Sequence, residues 1–184
     1  MSDVSQFIQV QRGLGASALG ISSVGGTMNM VTKSTEAQKG GSAYFGIGND
    51  GFRKYSVSFS TGLMDNGWAI TFMGALNTGD GYVKGTNYEG WTYFGNISKV
   101  INDHHKLSLT AFGAPQWHNQ RSTMHYIEDY KNSPDGGRFN NGYGYINGEA
   151  VGSGYGYNYY HKPQVSLNHY WTIDDKSTLT TSLY

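Results

Sequence analysis

The chain has no cysteine and only 3 prolines, and Asp, Glu, Lys and Arg make up just 14% of its 184 residues. The missing cysteine excludes a disulfide framework and a thiolate metal site. The charge is roughly half the usual share. It sums to +0, so nothing marks a nucleic-acid partner or an acidic-lipid surface. No apolar run approaches the ~18 residues of a membrane-spanning helix. The opening Met1-Ser2-Asp3 has neither the basic nor the apolar region of a secretory leader. In place of these the chain carries 27 glycines, 15 tyrosines, 8 phenylalanines and 4 tryptophans. Modest hydropathy with many aromatics fits a β-barrel wall, in which lipid-facing and lumen-facing residues alternate.

Period-2 alternation runs through most of the sequence, and no helical period competes with it after residue 41. Strands are expected at 42–48, 52–63, 68–77, 91–100, 106–113, 163–173 and 177–184. Residues 52–63 alternate most cleanly. Tyr55, Val57, Phe59, Thr61 and Leu63 face one way, and Ser56, Ser58, Ser60 and Gly62 the other. Phe45, Ile47, Ile70, Phe72, Tyr93, Leu107, Leu109, Leu167 and Ile173 extend the apolar face, whereas its reverse is mostly Ser, Thr, Asn, Gln and Gly. Phe94 and Lys99 break the rule on their faces. Asn49-Asp50-Gly51 reads as a tight hairpin turn, because these residues tolerate positive φ.

Alternation suits a two-sheet sandwich as well as a membrane barrel. Three features favour the barrel. Trp68, Trp91 and Trp171 lie at strand ends, where membrane interfaces collect aromatics. Strands of about ten residues match the ~9–11 that cross a bilayer when tilted. The turns at 64–67, 102–105 and 174–176 are short, and of the alternate connections 78–90 and 121–162 are long. Outer-membrane barrels segregate their loops in this way, with the short turns periplasmic.

Before these strands, Ile8 and Val10 alternate with Gln9 and Gln11, and Gly25-Gly26 bends the chain ahead of a second strand. Val10-Gln11-Arg12-Gly13, followed by Val24-Gly25-Gly26-Thr27-Met28-Asn29-Met30-Val31-Thr32-Lys33, resembles the end of the plug domain of TonB-dependent outer-membrane receptors. The family usually has proline where this chain has Leu14, and acidic residues are common at the positions of Gln9 and Gln11. Phe112-Gly113-Ala114-Pro115-Gln116-Trp117-His118-Asn119-Gln120-Arg121-Ser122 is similar to a segment of such receptors of the Bacteroidetes type.

The resemblance implies residues 1–33 as the C-terminal part of a plug, 34–40 as a linker and 41–184 as the N-terminal part of a barrel. Residues 121–162 would form a long extracellular loop. About seven strands of a ~22-stranded antiparallel transmembrane barrel would then be present, in an all-β fold. Leu179 and Leu183 lie on the face opposite Tyr184, so Tyr184 reads as a cut rather than a barrel's natural end. A leader and a TonB box are expected ahead of residue 1.

The chemistry-bearing groups are few. Gly13, Gly15 and Gly20 lack nucleotide-loop spacing. His104-His105 reads as a surface turn whose rings point apart. His118 and His125, near Glu128 and Asp129, lack a ligand spacing, so no metal and no cofactor is expected. Asp174-Asp175 are turn residues, and no catalytic triad or metalloprotease motif occurs. The chain is therefore not expected to be an enzyme.

Arg12, Gly13, Gly25, Gly26 and Asn29 carry the plug motif, and the resemblance implies that Arg12 locks plug to wall. Tyr143, Tyr145, Tyr155 and Tyr157 interleave with glycines in the long loop, as do Tyr159 and Tyr160. Tyrosine gives a large amphipathic contact at small entropic cost. Ligand contact and a self-packed lid are both open readings of these tyrosines. Tyr82, Trp117, His118 and Arg121 are candidates for the same rim.

The expected function is a fragment of an outer-membrane transporter importing an iron chelate or an oligosaccharide. Its partners would be outer-membrane lipid, TonB, an extracellular small ligand and a surface lipoprotein, with no nucleic acid. The alternative is a soluble or surface-attached β-sandwich that binds glycan.

Overall fold

The computed structural model describes residues 5–13, 25–32, 38–121, 123–151 and 156–184. The chain is all-β and antiparallel. β1 (Ser5–Arg12) and β2 (Gly26–Thr32) pair as a separate two-stranded sheet, in the register Ile8↔Met30 and Arg12↔Gly26. Gly26 has φ 113°, and a Cβ there would lie 2.3 Å from the Gln11 carbonyl oxygen, so only glycine fits.

The main sheet has 9 strands. β3 (Gly40–Ile47), β4 (Arg53–Leu63), β5 (Trp68–Gly79), β6 (Tyr88–Asn102) and β7 (His105–Gly113) follow one another as neighbours. β8 (Gln116–Asn119) continues beyond β7 and pairs with the start of β6. The chain then leaves the sheet through α1 (Ile127–Asn132), a 3₁₀ turn at Gly136–Arg138 and a small hairpin. That hairpin is β9 (Gly144–Ile146) with β10 (Glu149–Val151). It returns as β11 (Tyr157–Tyr160), paired to β8, and closes with β12 (Gln164–Asp174) beside β7 and β13 (Ser177–Leu183). The seven long strands thus form an up-and-down meander, open along β3 and β13 and not closed into a barrel.

The turns follow the local chemistry. Asp50 and Gly51 have φ 54° and 70°, and Phe52 N–H donates to Asn49 O (3.2 Å), the two-residue turn whose twist suits a hairpin. Asn102 Oδ1 accepts from the backbone N–H groups of both His104 and His105 (2.9 Å each) and so ties off the β6–β7 turn.

Four details depart from the sequence expectations. Gly40 already pairs with Ser60, so the sheet begins inside the stretch expected as a linker. β5 and β6 extend into the expected 78–90 loop, because the ladder continues through Thr78↔Glu89 and Gly79↔Tyr88. A bulge interrupts β4 at Thr61-Gly62, where Gly62 has φ 64° and Thr61 Oγ1 accepts the Ile70 N–H (2.9 Å). The 121–162 segment is not all loop: it holds α1, β9, β10 and β11.

The two faces of the sheet differ in exposure. Phe59, Phe72 and Leu109 are 51%, 50% and 44% exposed, and Phe45, Val57, Ile70, Ile97, Val165 and Leu167 on the same side are exposed as well. On the reverse side Ser60, Thr71, Thr92, Asn96, Ser98 and Ser108 are buried. Among the described residues no second sheet covers the apolar face, so the two-sheet sandwich is not formed. The inward side is not purely polar. Met73, Phe94 and Phe112 meet across three strands and form, with Ala75, a small apolar cluster. Phe94 breaks the sequence pattern for this reason.

Candidate functional site

Three zones of this sheet carry its chemistry: the apolar belt, the polar reverse and the loop end. Cross-strand register sets the belt. Phe45, Tyr55, Leu76 and Trp91 form one row near the long loops. Trp68 and Lys99 pair in a row near the short turns. Positions 68 and 76 are eight residues apart on β5, about 27 Å at 3.4 Å per residue. At the lower row Lys99 Nζ lies 5.2 Å from the Trp68 ring centroid and donates to Asn66 O (2.6 Å), so its charge sits at the turn and its stem lies on the belt.

The polar reverse is hydrogen-bonded internally. Asn96 Nδ2 donates to Ser108 Oγ (2.9 Å) and Thr110 Oγ1 (2.7 Å), and Ser98 Oγ donates to Asn96 Oδ1 (2.8 Å). Thr71 Oγ1 donates to Ser60 Oγ (3.1 Å), and farther along Ser182 Oγ donates to Asn168 Oδ1 (2.7 Å). These small polar groups satisfy one another beside the Met73, Ala75 and Phe94 cluster on the same face.

At the loop end the 121–143 segment is tied to loop 80–87 and to the β3–β4 turn. Arg138 pairs with Asp50 (2.6 Å), donates to Tyr82 O (3.2 Å) and lies over the Tyr82 ring. Lys84 Nζ donates to Asp135 Oδ1 (2.5 Å), and this hydrogen bond to the carboxylate holds the Lys84 ammonium above its ordinary pKa. Asn140 Nδ2 donates to Lys84 O (2.7 Å). Tyr143 packs over Gly85, where a Cβ would lie 2.3 Å from the ring, and its hydrogen bond with Tyr145 raises the Tyr143 pKa.

The residues singled out in the sequence fall in different places. Tyr82 and Tyr143 are used in the docking of this segment, and Tyr145 stacks edge-on against Tyr143 at 5.9 Å. Arg121 donates to Phe139 O (3.2 Å) and lies over Tyr130, so it supports the same segment from within. Trp117 and Tyr157 stack on each other at 6.1 Å across β8 and β11. His118 occupies a ladder position opposite Tyr88 and Asn158. Tyr155 lies outside the described residues.

Arg12 is exposed at the end of β1, next to Gly13 (φ 79°), and Gly25 and Gly26 lead into β2, where Asn29 pairs with Gln9. His104 and His105 do point apart, to Thr172 O (2.8 Å) and His169 Nε2 (3.0 Å). Among the described residues no group of three or more His, Cys, Asp or Glu could hold a metal ion.

Asp50, Lys84, Asp135 and Arg138 were not anticipated. Each finds its partner across more than one connection, and no motif links them in sequence.

No helix among the described residues is long and apolar enough to cross a membrane, which leaves crossing by strands untouched. No family model, no curated protein and no solved structure matches the chain.

Proposed function

We propose that this sheet is one stretch of the wall of an outer-membrane β-barrel, and that the chain belongs to a plugged importer energised through TonB. The observation that carries this reading is the inverted sheet. The large side chains are left outside, the hydrogen-bonded Ser, Thr and Asn side chains are closed in, and no second layer covers the apolar face among the described residues. In water such a patch and two unpaired edges would drive aggregation. Against acyl chains the same patch is the lipid-facing band, and pairing of β3 and β13 with further strands would close the wall.

In this reading the short turns are periplasmic and the docked 121–143 segment is a lid at the outer mouth. The β1–β2 hairpin belongs to the plug, with Arg12 as the residue that locks it to the wall. The cargo is a small extracellular ligand, either an iron chelate or an oligosaccharide. The specific import chemistry rests on the resemblance of residues 10–33 to receptor plugs, and the membrane placement rests on the sheet.

Partition is the test of the placement. The chain should require detergent or a bilayer to stay monodisperse and should insert into vesicles. Recovery as a monomer in detergent-free buffer would contradict it.

A further inference from the structure

A cleft of about 280 Å³ opens at the loop end of β4, β5, β6 and β8. Register sets Arg53, Thr78, Glu89 and Trp117 side by side across these four strands, in one row on the apolar side of the sheet. Asp80 and Asn87, from the two ends of loop 80–87, line it as well, with Gly51, Gly79 and Tyr88.

The polar groups are only partly used. Glu89 spends one carboxylate oxygen on Trp91 Nε1 (2.9 Å), and among the described residues the other accepts no hydrogen bond. Asn87 Oδ1 accepts from Asn119 Nδ2 (2.8 Å), and among the described residues the two Asn87 amide donors are unspent. Among the described residues no ion pair joins Arg53 to Asp80 or Glu89. Trp117 is held on Tyr157 at 23° between ring planes, which fixes the indole at the wall of the cleft.

We infer that this cleft binds a sugar ring. Carboxylate acceptors, guanidinium and amide donors and an indole together match a ligand that offers hydroxyls around its rim and C–H groups on its face. A phosphate would meet two carboxylates for one guanidinium. An apolar ligand would cover Arg53, Asp80 and the second Glu89 oxygen and offer them no hydrogen bond, at a cost that contact with one indole does not offset. The sugar has two possible sources. It is either a free saccharide or the headgroup of a glycolipid, since the row directly below the cleft, Tyr55 and Trp91, opens the apolar belt. The cleft belongs to the sheet's end and does not depend on the transport reading.

The test is a titration of the chain in a sugar-free zwitterionic detergent, read by tryptophan fluorescence. The probes are methyl glycosides of glucose, galactose and mannose, then lipopolysaccharide, then inorganic phosphate. A saturable change with one glycoside, or with lipopolysaccharide alone, supports the site and names its source. The signal should vanish in Trp117→Phe, which keeps a ring against Tyr157. Affinity should fall about tenfold in Asp80→Asn, the loss of one hydrogen bond to a charged acceptor. Circular dichroism should show both variants folded. A response to phosphate that matches or exceeds every sugar response would overturn the inference. So would the absence of any response in the folded protein, or sugar binding that Asp80→Asn and Trp117→Phe leave unchanged.

Discussion

The seven-strand meander and the 121–143 segment above it are held by different physics. In the meander each strand has a long ladder on one or both sides, and inward polar side chains such as Asn96, Ser98 and Ser108 bond to one another across strands. In the upper segment there is little ladder. A six-residue helix and a 3₁₀ turn are pinned by two ion pairs, a few hydrogen bonds to backbone carbonyls and rings lying under guanidinium groups. The wall should therefore open only with the whole sheet, whereas the upper segment should detach by itself. Regions that move to admit ligands are drawn from the low-stability end.

Substitutions can break or sharpen that contrast. The largest effect is expected from Phe72→Arg on the apolar belt. In a bilayer the buried charge should cost about 2–4 kcal/mol, measured by denaturant unfolding from vesicles. In detergent-free buffer the same change should reduce aggregation. Next comes Asn96→Leu on the reverse face. It leaves Thr110 Oγ1 without its Asn96 donor and the Ser98 hydroxyl without its Asn96 acceptor, and should cost about 1–3 kcal/mol by the same measurement, with no gain in solubility.

The smallest effect on global stability is expected from Lys84→Met. Limited proteolysis should cut the 121–143 segment faster while the unfolding transition of the sheet stays in place, because an exposed ion pair is screened by solvent. The wild-type protein should show a matching pH dependence. The Lys84 pKa is raised in the folded state, so its contribution is fully present below the ordinary lysine value of 10.5 and is lost as pH rises through the folded value. Protection of the segment should hold up to about that pH and fall above it.

Much of the sheet could be read from the chain, because a strand writes its two environments into alternate residues. Tyr55, Val57 and Phe59 against Ser56, Ser58 and Ser60 is one such record, and Gly62 marks the bulge that the alternation alone hides. The outer segment leaves no such record. α1 is too short to show a helical period, and Arg138 meets Asp50 only after the chain has folded back on itself. β11 was hidden for a milder reason: the alternation of Tyr157, Asn158 and Tyr159 is brief and sits in a glycine-rich stretch. Of the cleft, only Trp117 was visible in sequence. Arg53 and Glu89 lie on separate strands and are brought to either side of Thr78 by register, and Asp80 reaches the cleft from the loop that follows β5.

Nitroxide labels walked along β5, one residue at a time from position 69 to 76 in lipid vesicles, test the central claim most directly. Collisions with oxygen, which concentrates in the acyl region, should peak at Ile70 and Phe72. Collisions with a water-soluble nickel chelate should be low there, and Thr71 and Met73 should be shielded from oxygen. Equal access of the nickel chelate to positions 70 and 72, or shielding of those two positions from both reagents, would contradict a lipid-facing wall.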